Sequence, residues 1–313
     1  MKWLIPVIAL GALGVLALVT TSCLKSQPVD NNQAIQELLA TSDYTSDANS
    51  TVVDDGSSEP KRDSFGSGGG PGTLSVMDTL PWVRFARSIE RPVERTVTIT
   101  IPAYPGYPDT TALATIANSV SGRFYVQNDS SVHIAWVRDF TDDGTRKVYL
   151  TKHGGQRGDW RIQRMSPLNS VTHNAPWPIE IASLRLEARP SGLVYEYTSP
   201  DTLLARRELP GFVEGDTVKV TVTVQSDTAT WVFLHHGDDY FHQREALYRT
   251  SPTTFAREWV LPRDSLRHAP LVLGHAADVI SWPTLFGDTL SLYNSRAWVL
   301  PYVVLKTPSQ DRP

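Results

Sequence analysis

The densest set of groups able to do chemistry is the run His235-His236-Gly237-Asp238-Asp239-Tyr240-Phe241-His242. Imidazoles and carboxylates are metal ligands. A hairpin with Gly237 near its tip would bring His236, Asp238 and His242 together, and these three are the candidate metal ligands. Their spacing matches no zinc signature such as H-E-x-x-H. Asp and Gly are also what a turn between strands requires, so a polar loop accounts for the same residues.

Nucleophilic catalysis finds less support. The chain has no G-x-S-x-G elbow, and the glycines between Gly66 and Gly72 lack the Lys-Ser/Thr that completes a phosphate loop. No catalytic residue and no cofactor are therefore expected. Arg157-Gly158-Asp159 spells an adhesion tripeptide, but its place between Gly154-Gly155 and Trp160 reads as a turn. Tryptophans bind sugars by stacking on their apolar faces, and they also fill sandwich cores. Trp136, Trp231 and Trp259 lie inside apolar runs and are expected in the core. Trp177, between Pro176 and Pro178, and Trp282, beside Pro283, fall on loops and are the candidate glycan contacts.

Cys23 is the one cysteine of 313 residues, which rules out an intrachain disulfide. Lys2, an apolar run from Trp3 to Val19, and the small residues Thr20, Thr21 and Ser22 stand before it. That is the order of a signal peptide. The stretch ending in Ser22-Cys23 resembles the lipobox of bacterial lipoproteins, although Thr20 stands where leucine is usual. The resemblance implies removal of residues 1–22 and a diacylglyceryl and palmitate-bearing Cys23 as the new N-terminus. It also implies a cell-envelope address, with the membrane as partner through the lipid. Leu24 in place of aspartate resembles lipoproteins sorted to the outer membrane in cells that have two. Leu4–Ser22 is also long enough to stay as an uncleaved membrane span. The formal net charge is −4 and no basic run exceeds two residues, which argues against nucleic acid as a partner.

Residues 23–78 are rich in Ser, Thr, Asp, Asn and Gly. Such composition buries too little apolar surface to order itself, so the segment reads as a flexible tether. About 50 residues of such coil would reach roughly 40 Å. Ala34–Ala40 could form two turns of helix, marginal in isolation.

The elements that must position any site follow the tether. Thr96–Ile101 and Thr217–Val224 alternate polar and β-branched apolar residues, the mark of strands buried on one face. Val218, Val220, Val222 and Val224 are expected to face the core. Similar runs recur to Leu305, separated by turn signals such as Asp142-Asp143-Gly144 and Pro190-Ser191-Gly192. With no sustained helical period, the fold class is all-β: antiparallel β-sandwiches. A β-rich domain is expected at 79–210 and a second module at 211–306, with a disordered tail at 307–313; one long sandwich is the alternative. From Gly215 to Asp278 the strands resemble bacterial immunoglobulin-like or fibronectin-like modules. The functional expectation is an anchored, non-catalytic β-body with a structural or interaction role toward an envelope protein or glycan. The alternatives are a carbohydrate-binding module and a metal-dependent enzyme.

Overall fold

The computed structural model describes residues 30–45, 83–102, 110–127, 136–154, 159–237, 243–261, 271–288 and 290–307. Helix α1 spans Asn31–Thr41. The strands that follow are β1 Arg84–Ile89, β2 Glu94–Thr100, β3 Thr111–Gln127, β4 Trp136–His153, β5 Asp159–Met165, β6 Leu168–Thr172, β7 Ile179–Arg189, β8 Val194–Tyr197, β9 Leu204–Ala205, β10 Gly211–Val213, β11 Thr217–Ser226, β12 Thr230–Gly237, β13 Gln243–Ala246, β14 Tyr248–Arg249, β15 Thr254–Val260 and β16 Leu271–Ser281. Helix α2, Trp282–Phe286, precedes the last strand, β17 Ser295–Leu305.

The strands form two sheets. The larger runs β1-β3-β4-β6-β17-β16-β12-β13, with β2 beside β3, β5 beside β4, β9 beside β5 and β10 beside β17; the smaller runs β14-β15-β11-β7-β8. Pairing is antiparallel apart from β10, which lies parallel to β17. The chain is thus an all-β antiparallel sandwich. Both sheets draw strands from either side of residue 210, since β7 pairs with β11 and β6 with β17. The hydrogen bonding crosses the boundary expected there, as in one long sandwich.

The alternation along β11 does what its sequence implies. Val218, Val220, Val222 and Val224 are buried, and Lys219, Thr221 and Thr223 are half-exposed. Burying one such valine contributes about 1.5–3 kcal/mol. Across the sandwich, Trp259 of β15 packs edge-on against Tyr302 of β17, with ring centroids 5.6 Å apart. Pro301 sits inside β17, an unusual place for a residue with no N–H. The preceding stretch of that edge, Arg296–Val299, pairs with β6, and the N–H of Val303 bonds Pro210 O at 2.9 Å. Position 301 falls between these partners, where no strand requires a donor.

The large sheet curls until its ends meet. Phe85 of β1 packs on Phe233 of β12 at 4.8 Å, and Arg244 of β13 donates to Phe85 O of β1 at 2.8 Å. Among the described residues it is this side chain, and no backbone pairing of β1 with β13, that bridges the two ends. The register puts residues 87, 124, 138, 142, 295, 278, 235 and 244 on one face of the sheet, the concave face of this curl.

Two expectations are corrected. Asp142-Asp143-Gly144 is no turn but lies mid-way along the continuous strand β4, paired to β3 and β6. Tertiary pairing overrides its turn chemistry: Asp142 accepts buried hydrogen bonds, and a Cβ on Gly144 would sit 3.2 Å from Leu168 Cδ1. The second concerns the tether. Within it Asn31–Thr41 form a docked helix, not free coil. Asp30 caps α1 by accepting from Asn32 N at 2.9 Å. Ile35 and Leu39, one turn apart on one face, are 0% exposed. Asn31 Oδ1 accepts from Lys152 of β4 at 2.9 Å and Trp160 of β5 at 3.3 Å. At the other end Arg95 donates to Leu39 O and Arg146 to Tyr44 O. Tertiary packing thus holds a helix too short to persist alone.

Candidate functional site

The concave face of the curl holds an enclosed network of ionisable groups. Arg87 of β1 forms a two-pronged pair with Asp278 of β16, Nη1 to Oδ2 at 2.8 Å and Nη2 to Oδ1 at 3.2 Å. His235 Nε2 lies 3.1 Å from Asp278 Oδ2, and Ser295 Oγ donates to Oδ1 at 3.2 Å. Arg87 Nε donates to Tyr293 Oη at 2.9 Å; Tyr293 in turn donates to Asp142 Oδ2 at 2.9 Å. Thr172 Oγ1 completes the set on Asp142 Oδ1 at 3.0 Å. All seven side chains are buried.

The electrostatics follow from burial and pairing. Burial alone would push the Asp278 carboxyl up, but Arg87 and His235 hold it well below the usual carboxylate range. Burial alone would likewise pull Arg87 down; Asp278, Tyr293 and Asp142 instead keep it firmly protonated. Asp142 has less support, and burial pushes it up to about 6 against the charge of Arg87 and the hydrogen bonds from Tyr293 and Thr172. Burial lowers His235, opposed in part by its hydrogen bond to Asp278. The imidazole is therefore the weak member of a pair whose charge Arg87 already neutralises.

What can this arrangement do? A serine, a histidine and an aspartate meet, but Ser295 bonds the carboxylate and not the imidazole. Among the described residues Ser295 thus forms no hydroxyl–imidazole relay with His235, which a nucleophilic triad needs. The network instead ties β1, β4, β6, β12, β16 and β17 together. Few sequence signals mark it. Asp278 interrupts the apolar run Ala276-Ala277-Asp278-Val279-Ile280, and Arg87 occupies an inward position after Phe85. A charge at a core-facing position was the available clue.

The histidine run is split by the strand period. His235 faces the curl, while His236 faces the sandwich core, stacked on Trp259 at 5.0 Å. His236 stands opposite His275 in register, and burial, then the charge of His236, lowers His275 to about 3. Asp238 and His242, like Cys23, lie outside the described residues. Trp136 is half-buried, and Trp231 and Trp259 are core residues.

Trp177 is 37% exposed, and its backbone oxygen accepts from Asn294 Nδ2 at 3.0 Å. Trp282 opens α2 and is half-buried, its ring 4.2 Å from Phe286. Its helix bonds back to the same segment: Thr284 Oγ1 accepts from Asn294 N at 2.8 Å. The two candidate glycan contacts therefore border one end of the body. There the segment after α2 presents Leu290 at 85% and Leu292 at 61% exposure. Arg138 of β4 fixes that segment by donating to Ser291 O and Asp288 O, both at 2.6 Å. Leu290 is the most exposed of the large apolar side chains described, and it sits on this braced loop.

No protein-family model matches the chain, and comparison with curated proteins finds no similar one.

Proposed function

We propose that this protein is an envelope lipoprotein, anchored by lipid on Cys23, whose β-sandwich body is non-catalytic and serves a structural or interaction role. The observation that carries the second half is the sealing of the Arg87–Asp278–His235 network. All three side chains are at most 3% exposed and satisfy one another. Charges placed this way brace a fold and meet no substrate. What the body offers to a partner is the braced apolar loop at Leu290 and Leu292. The first half rests on the leader and Ser22-Cys23. Two acyl chains or more on one cysteine anchor a protein stably, where a single chain does so marginally.

Metabolic labelling with palmitate tests the reading. The wild-type chain takes up label in a globomycin-sensitive manner and fractionates with the envelope; Cys23→Ser does neither. A mature, unlabelled chain in the soluble fraction would overturn it. A second reading, glycan contact, is favoured by the exposed indole of Trp177 beside the same loop. It predicts that Trp177→Ala abolishes retention on peptidoglycan or lipopolysaccharide resin.

A further inference from the structure

The docking of α1 sets how far the body can stand from a lipid on Cys23. About 50 residues of free coil would let it wander roughly 40 Å. Yet only seven residue steps separate Cys23 from Asp30, the cap of a helix whose Ile35 and Leu39 are wholly buried. Fully extended, such a leash spans at most about 25 Å.

The point where the leash joins the body is also fixed. Asn31 is held by Lys152 near the C-terminal end of β4 and by Trp160 of β5. The apolar loop is held by Arg138 near the N-terminal end of the same strand. Along an extended strand these two positions are up to about 45 Å apart. The surface around the leash suits contact with headgroups and not insertion. The exposed residues of α1 are Asn32, Gln33, Gln36, Glu37, Ala40 and Thr41, with Asp30 and Asp43 exposed at its ends, and Asp159, Arg161 and Arg164 are exposed on β5, a polar surface of both charges.

Resting on the lipoprotein reading, we infer that the bilayer is the partner of the α1–β5 end. The body is held close to the membrane in one orientation, with the Leu290–Leu292 loop pointing away from it. The loop is thus directed at a partner beyond the lipid surface.

The test uses the full lipidated chain in vesicles of phosphatidylethanolamine and phosphatidylglycerol. Lipidation consumes Cys23, so a cysteine introduced elsewhere is the one free thiol. Gln33→Cys and Leu290→Cys, each carrying a donor fluorophore, are compared for energy transfer to an acceptor-labelled lipid. Transfer from position 33 is expected to exceed that from position 290 severalfold. A long Gly/Ser insertion between Val29 and Asp30 should erase the difference. Equal transfer from both positions without the insertion, in protein that floats with the vesicles, overturns the orientation while leaving the anchor intact. Protein that carries no lipid and does not float overturns both.

Discussion

The Arg87 guanidinium and the Asp278 carboxylate meet through two hydrogen bonds although 191 residues separate them in the chain. Arg87 lies on the first strand of the curled sheet and Asp278 near its far end, so the pair locks the curl shut. A buried ion pair is worth little over well-packed apolar side chains, but breaking one partner strands the other.

Arg87→Met should therefore cost about 3–5 kcal/mol, because it leaves Asp278 charged and enclosed. The double substitution Arg87→Met with Asp278→Leu should recover much of that loss. Urea unfolding of the two single variants and the double variant measures the coupling. Additive losses would mean that the pair does not act as a unit.

A second prediction concerns acid. His275 is buried beside Trp259 and Tyr302, and its folded-state value of about 3 lies far below the ordinary 6.5. Between those values the unfolded chain binds the extra proton and the native one does not. Stability contributed by neutral His275 is thus complete above pH 6.5 and declines as pH falls toward 3. The decline is at most about 1.4 kcal/mol per pH unit. His235, also lowered by burial, adds in the same direction. Unfolding of His275→Phe across pH 4 to 7 should show a shallower acid limb than wild type. Parallel limbs would remove His275 as a cause.

Much of the sandwich was legible because alternation is a local property. Val218 to Val224 declare their face in four residues, and the burial of β11 follows. What pairing decides over long distance was not legible. Asp142-Asp143-Gly144 carries turn chemistry, yet Thr172 and Tyr293, 30 and 151 residues away, satisfy Asp142 inside a strand. The ionic network escaped for the same reason: Arg87 and Asp278 each stand at a core-facing position, but no local pattern joins them until the curl brings them together. Helix α1 was visible as a short apolar patch, but its docking depends on Lys152, Trp160, Arg95 and Arg146, which no local pattern joins to it.

That docking makes a prediction of its own. Leu39 is wholly buried, and truncating such a residue to alanine typically costs about 2–5 kcal/mol. An 11-residue helix has no comparable stability by itself. Leu39→Ala should therefore release α1 locally rather than unfold the sheets, since the hydrogen bonds that hold α1 come from Lys152, Trp160, Arg95 and Arg146, outside the Arg87–Asp278 lock. Arg146 would exchange Tyr44 O for water while keeping its bond to Val299 O. Hydrogen exchange should show residues 31–45 losing protection while β11 and β17 keep theirs. Loss of protection in both sheets at once would show instead that α1 is part of the cooperative core. Unchanged exchange in 31–45 would show that Leu39 does not hold the helix.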